Sequence, residues 1–244
     1  MNSQSRFVNI LLVAIFAVFT LNSCAQKINL GKILDAATGS SGALSEGEVA
    51  NGLKEALTIG ISKGADLVSK ENGYLNNPKI RIPFPPDVQR VENTLRSVGL
   101  GNQVDKFIES LNHGAEEAAK EAKPIFIAAI KQMSINDAFS ILKGEQDAAT
   151  MFLKRTTTAQ LTEKFMPVVE KALAKTQATQ YYGDIANAYN KIPLTSNINP
   201  DLKGYATEMA INGLFLMIAE EEAKIRQDPF ARTSALLKRV FGNS

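Results

Sequence analysis

Along most of the chain, apolar residues return every three or four positions, which predicts helices. Val49, Leu53, Leu57 and Ile61 share one helical face, and "SEGE" at 45–48 has the form of a capping box ahead of them. "ENGYLNNP" breaks the pattern with Gly, Asn and Pro. Val88, Val91, Leu95 and Val98 resume it, and Gly99 reads as a stop. Val104, Phe107, Ile108, Leu111, Ala115, Ala118 and Ala119 make the next face, extended by Ala122. Pro124 should end or kink that helix, because it lacks the amide hydrogen. "PIFIAAIKQM" then resumes with Pro in a first turn, and "SIND" (134–137) caps a short helix closed by Gly144. From Asp147 to Lys175 a helical stretch follows, with an interruption expected at Thr156-Thr157-Thr158 and a bend at Pro167. "YYGDIANAYNKI" predicts a short helix. Asn199-Pro200-Asp201 opens a long one with Leu202, Tyr205, Met209, Leu214, Met217 and Ile218 facing inward. Asp228-Pro229 opens the last, with Leu236, Leu237, Val240 and Phe241 on its apolar side.

One segment departs from the helical period. In "KIRIPFPP" (79–86), Ile80, Ile82 and Phe84 alternate, as on one side of an extended chain. Its prolines remove donors and confine it to an edge or an isolated arm. A second proline-containing run, "NKIPLTSNI" (190–198), could pair with it. The pattern therefore predicts an all-α protein: a single multi-helix domain over 45–244, with about eight or nine helices and at most a short two-stranded extended element. Long proline-bounded loops argue against a plain four-helix bundle.

The first residues follow another logic. Residues 7–22, FVNILLVAIFAVFTLN, are free of charge and follow Arg6. These 16 residues fall short of the roughly 20 a spanning helix needs, and they fit a secretory signal. Leu21-Asn22-Ser23-Cys24 resembles the bacterial lipobox, and Cys24 is the sole cysteine of the chain. The resemblance implies a signal peptide over 1–23, a diacylglyceryl thioether on Cys24, and a flexible tether over 24–44 that ends in the Gly- and Ser-rich "AATGSSGALS". Ala25 rather than Asp after the cysteine points to the outer membrane, and "AQKI" lacks the acidic cluster of surface-export signals. The expected location is an outer-membrane lipoprotein facing the periplasm, tied to the membrane by lipid on Cys24. With no second cysteine, the mature fold stands without an internal disulfide.

Charge excludes one class of partner. There are 27 basic and 25 acidic side chains, and the signal carries away Arg6. A nearly neutral, mixed surface argues against nucleic acid. Tryptophan is absent and aromatic residues make up 7% of the chain, too few for stacking platforms.

Four separated blocks carry a family resemblance: "NPKIRIPFPPDVQRVENTLRSVGLG", "AKPIFIAAIKQMSINDAFSILKG", "DAATMFLKRTT" and "IAEEEAKIRQDPFARTSALLKRVFG". In this order they are similar to a bacterial family known as domain of unknown function 4197, from about Leu53 to Gly242. The resemblance implies a secreted or lipid-anchored protein without an assigned activity, so no catalytic residue is carried over. One departure stands out: Asn112-His113-Gly114-Ala115-Glu116 occupies the place of a family pattern Asn-Arg-Ala-Ala-Glu.

Candidate chemistry is sparse. Glu109, His113 and Glu117 stack at i, i+4 and i+8, with Glu116 near, as divalent-metal ligands could. A helical di-metal site needs Glu-x-x-His pairs on facing helices, and the chain holds one histidine, so no metal is expected. Ser140-Ile141-Leu142-Lys143 matches the Ser-x-x-Lys of acylating enzymes, but no Lys-Thr-Gly accompanies it. No nucleophile elbow or Gly-rich phosphate loop occurs, and no cofactor is implied. The densest charged stretch is "AEEEAKIRQDPFAR" (219–232). Glu222 and Arg226 stand at i, i+4 in the favourable order, and Asp228 can cap the last helix. Glu221 is placed to turn inward toward Arg226, Arg232 or Arg81. Together with Asp137 these residues, Glu221, Glu222, Arg226, Asp228 and Arg232, mark a possible polar pocket at a helix junction, against the plainer reading of a structural ion-pair network. Asp137, Asp147, Thr150 and Arg155 form a second polar group. The expected function is a non-enzymatic binding or structural envelope protein whose partner is a protein or an apolar ligand. The alternative is a carboxylate-based hydrolase or metal-dependent enzyme using Glu221, Glu222 and Asp137.

Overall fold

The structure is a computed structural model that describes residues 45–97, 99–175, 182, 187, 190–191 and 201–227. The chain divides into two units, Met1–Ala43 and Leu44–Ser244, and every described helix belongs to the second.

Helix α1 (Glu46–Val68) begins at the capping box. The Glu48 amide donates to Ser45 Oγ at 3.3 Å, and Glu48 Oε2 accepts from the Ser45 amide at 2.9 Å. A turn-rich loop leads into the extended arm, and a 3-10 turn at Pro86–Val88 precedes α2 (Gln89–Ser97). Gly99, at φ +84°, supplies the left-handed residue that ends α2. Then come α3 (Gly101–Ala119), α4 (Ala122–Gln132) and α5 (Ile135–Leu142), and the long pair α6 (Ala148–Ala174) and α7 (Leu202–Gln227). The fold is all-α, and no strand occurs among the described residues.

The described residues carry fewer helices than the eight or nine expected. "YYGDIANAYNKI" falls largely outside them, and the helix opening at Asp228-Pro229 and most of the run at 190–198 fall outside as well. Two further differences have physical causes. The stretch at Thr156-Thr157-Thr158 does not interrupt α6, because each hydroxyl donates to the carbonyl four residues back, at 2.9, 2.6 and 2.6 Å. Such back-bonding lets threonine stay within a helix. Pro167, where the sequence predicts a bend, lies inside α6. Ala122 does not extend α3; it opens α4, with Pro124 in the first turn where no amide donor is needed.

Helices α6 and α7 are antiparallel. Glu222 reaches the amide of Ala149 near the start of α6, and Lys203 pairs with Glu170 near its end, at 3.2 Å. Helix α7 is the centre of the domain, with Ala206, Ala210, Leu214, Phe215, Met217 and Ile218 buried. Phe126 of α4 meets Phe215 edge-on with centroids 5.8 Å apart, a preferred aromatic geometry. No single described helix is long and apolar enough to cross a membrane.

The extended arm shows the alternation read from its sequence. Ile80, Ile82 and Phe84 are buried, while Arg81 and Pro83 are exposed. At Ile82 its backbone pairs with a side chain. The Ile82 amide donates to Asn112 Oδ1 at 2.8 Å, and Asn112 Nδ2 donates to the Ile82 carbonyl at 2.9 Å. The fully buried carboxamide thus offers the arm the donor and acceptor that a neighbouring strand would. Phe84 packs on Phe107 of α3 at 5.0 Å between centroids. Tyr74, also fully buried, sends its ring over Gly213 of α7, where an added Cβ would lie 2.9 Å from it. Its hydroxyl donates to the Ala210 carbonyl at 2.7 Å.

Candidate functional site

Burying a carboxylate is costly unless hydrogen bonds and an opposite charge replace water. Glu222, 5% exposed, has both. Its Oε1 accepts from the Ala149 amide at 3.0 Å, and its Oε2 accepts from the Thr150 amide at 2.9 Å and the Thr150 hydroxyl at 2.8 Å. Arg226 donates Nε and a terminal nitrogen to Oε1 at 3.0 and 2.8 Å, and the same terminal nitrogen donates to the Ile141 carbonyl at 2.8 Å. Carboxylate therefore meets the amide end of α6, and guanidinium meets the carbonyl end of α5, each opposing the local helix dipole. Asp147 stands at the N-cap of α6 without making a side-chain cap bond; a residue of α7 does that work.

Of the residues read together from the sequence, Glu222 and Arg226 meet, while Glu221 and Asp137 are engaged elsewhere. Glu221, also buried, pairs with Lys63 of α1 at 3.2 Å and with Lys224, not with Arg226 or Arg81. Asp137 closes a capping box at the start of α5, accepting from the Ser134 amide at 3.0 Å and the Ser134 hydroxyl at 2.7 Å. The hydroxyl first, and then the amide, hold its carboxyl below the usual carboxylate range. Asp228 and Arg232 lie outside the described residues. Of the second polar group, Thr150 joins Glu222, while Arg155 lies over the Phe152 ring at 5.7 Å.

Glu116 is the third buried carboxylate. Its Oε1 accepts from the amides of Tyr74 and Leu75 at 3.0 and 3.1 Å, and His113 Nδ1 stands 2.7 Å from Oε2. Burial, with Glu116 adding its charge, pushes the Tyr74 phenol far above its ordinary range. Glu109 and Glu117 are exposed, and Glu117 pairs with Lys120. Among the described residues no group of three or more His, Cys, Asp or Glu side chains is arranged to hold a metal. Ser140 and Lys143 are exposed, and the Lys143 ammonium lies over the Phe139 ring at 5.7 Å.

A different place has room for a ligand. A cleft of about 860 Å³ lies along the α6–α7 pair, at the half distant from Glu222. Lys154, Thr158, Thr162 and Met166 line it from α6. Gly204, Tyr205, Thr207, Glu208, Ile211 and Asn212 line it from α7, and Pro85 and Pro86 of the arm form a rim. Thr207 is 2% exposed, and its hydroxyl has no hydrogen-bond partner. Among the described residues it is the one buried side-chain polar atom left so, and it belongs to the cleft wall. An unpaired buried hydroxyl costs about 1–3 kcal/mol, which an acceptor recovers only if the wall opens to admit it, because the oxygen itself is buried.

Sequence reasoning passed over this cleft. Its walls come from segments far apart in the chain, and their residues repeat no motif. One local signal existed: Thr207 interrupts the apolar run Ala206, Ala210, Ile211, Leu214. Asn112, between Ile108, Leu111 and Ala115, is the same kind of polar outlier on an apolar face.

The chain belongs to a family described as "Protein of unknown function (DUF4197)", whose pattern matches residues 43–242. No curated protein and no solved structure matches it.

Proposed function

We propose that this protein is an exported, lipid-anchored domain that works by binding, with the α6–α7 cleft as its site. Lipid on Cys24 would hold it at the outer membrane, facing the periplasm. The observation that carries the binding reading is the unpartnered Thr207 hydroxyl in the wall of a cleft of about 860 Å³, a volume within the range of ligand pockets. The alternative, a carboxylate-based hydrolase or metal-dependent enzyme, draws less support. Glu221 and Glu222 are already engaged by ammonium, guanidinium and amide groups, which leaves neither poised as a general base.

Native mass spectrometry of the full chain, isolated from membranes in mild detergent, tests this. An excess mass present in the wild type and lost in Thr158→Trp, which fills the cleft, supports the reading. The same bare mass in both, or an adduct unaffected by the tryptophan, overturns it. Cys24→Ser tests the anchor: the expected result is loss of acyl mass and release from the membrane fraction.

A further inference from the structure

The length, polarity and charge of the cleft point to a ligand class. Between Lys154 and Met166, α6 rises by about 18 Å, the span of about five residues of extended chain. Thr158 and Thr162 stand one turn apart along this wall. Their hydroxyl hydrogens are committed to the carbonyls of Lys154 and Thr158, at 2.6 and 2.9 Å. What they offer the cleft is therefore acceptance. Residues one turn apart on a helix sit about 5–6 Å from each other. Amides on one side of an extended peptide recur about every 6.6 Å, so two successive outward amides can meet the two threonines. The opposite wall complements this: the exposed Asn212 carboxamide can donate to a peptide carbonyl. Ile211, Met166 and Pro85 leave apolar surface for side chains.

Charge gives the site a direction. Because the helices are antiparallel, Lys154 marks one end, beyond Asn212, while Glu208 and Asp201 lie toward the Met166 end. Lys203, close to that second end, is neutralised by Glu170 at 3.2 Å. An acyl chain offers nothing to the acceptor positions of Thr158 and Thr162 or to the Asn212 carboxamide, so a lipid fits these walls less well than a peptide. We propose that the cleft binds an extended peptide of about five residues, its C-terminal carboxylate at Lys154 and its N-terminal part toward Glu208 and Asp201. This assignment rests on the reading of the cleft as the binding site.

The test offers the full chain an equimolar library of pentapeptides with free termini, and the same library amidated at the C-terminus. Retained peptides are counted by mass spectrometry. The expected result is retention from the free library and about tenfold less from the amidated one, the weight of one charge-assisted hydrogen bond. Lys154→Gln should abolish that preference without changing the thermal unfolding curve, since Lys154 is exposed. Equal retention of both libraries by the wild type overturns the orientation and with it the proposal. No retention from either overturns the peptide. In that case an adduct that still vanishes in Thr158→Trp leaves the cleft reading standing and the ligand class alone refuted.

Discussion

Two regions of the same helix pair use polar residues in opposite ways. Where α7 passes the start of α6, Glu222 is buried, Arg226 is partly buried, and the pair has partners on three helices. Where the pair passes the arm, polar side chains line an open cleft and Thr207 is buried without a partner. The first region has more charge and would draw the eye of anyone searching for an active site. Its completeness makes it a structural joint. The second has fewer charges but keeps unspent hydrogen-bonding capacity, which is what a ligand needs. A polar group shows its role through what remains unsatisfied around it, more than through its charge.

The largest effect is expected from breaking the joint. Glu222→Ala leaves the partly buried Arg226 without its carboxylate and two buried α6 amides without an acceptor, so it should destabilise the domain by about 3–5 kcal/mol in urea unfolding. Replacing both partners by apolar residues should cost less than the single change, because no lone charge is then left. If Glu222→Ala costs under about 1 kcal/mol, the joint is no more than a surface pair and the contrast dissolves. Next in size is Asn112→Ala. It strands the amide and carbonyl of Ile82, for an expected loss of about 2–3 kcal/mol, with earlier exchange of the Ile82 amide by hydrogen exchange. An unchanged exchange rate would show that the arm is held by its apolar contacts alone. The smallest effect has the opposite sign. Thr207→Val removes a hydroxyl that has no partner, so stability should stay level or rise by up to about 1 kcal/mol, while any cleft-bound mass weakens. A loss of stability as large as that of Asn112→Ala would mean that Thr207 belongs to the joint-like class.

The helices were legible because their signals are local. Ser45 with Glu48 and Ser134 with Asp137 form the boxes that their spacing announces, and the alternation of Ile80, Ile82 and Phe84 survives as alternating burial. What eluded the sequence depends on distant chain. Asp147 has a capping residue's identity, but Glu222 holds the amides of Ala149 and Thr150. The threonine run at 156–158 has low helix propensity, and packing with back-bonding overrides it. The Glu222–Arg226 pair could be read from its spacing; its third partner, the Ile141 carbonyl 85 residues back, could not. The cleft arises only once α6, α7 and the arm are assembled, so no stretch of sequence contains it.

The cap of α6 has a consequence in time. Glu222 lies 73 residues after the Ala149 amide it accepts from. A chain growing from its amino end therefore presents the start of α6, and the end of α5, long before the residue that will close both exists. Until α7 arrives, those amides and that carbonyl are left to water, and the long helix is free to fray from its first turn. Completion of the fold waits on the last described helix. A product truncated ahead of Glu222 should populate an open, protease-sensitive state instead of a smaller stable domain.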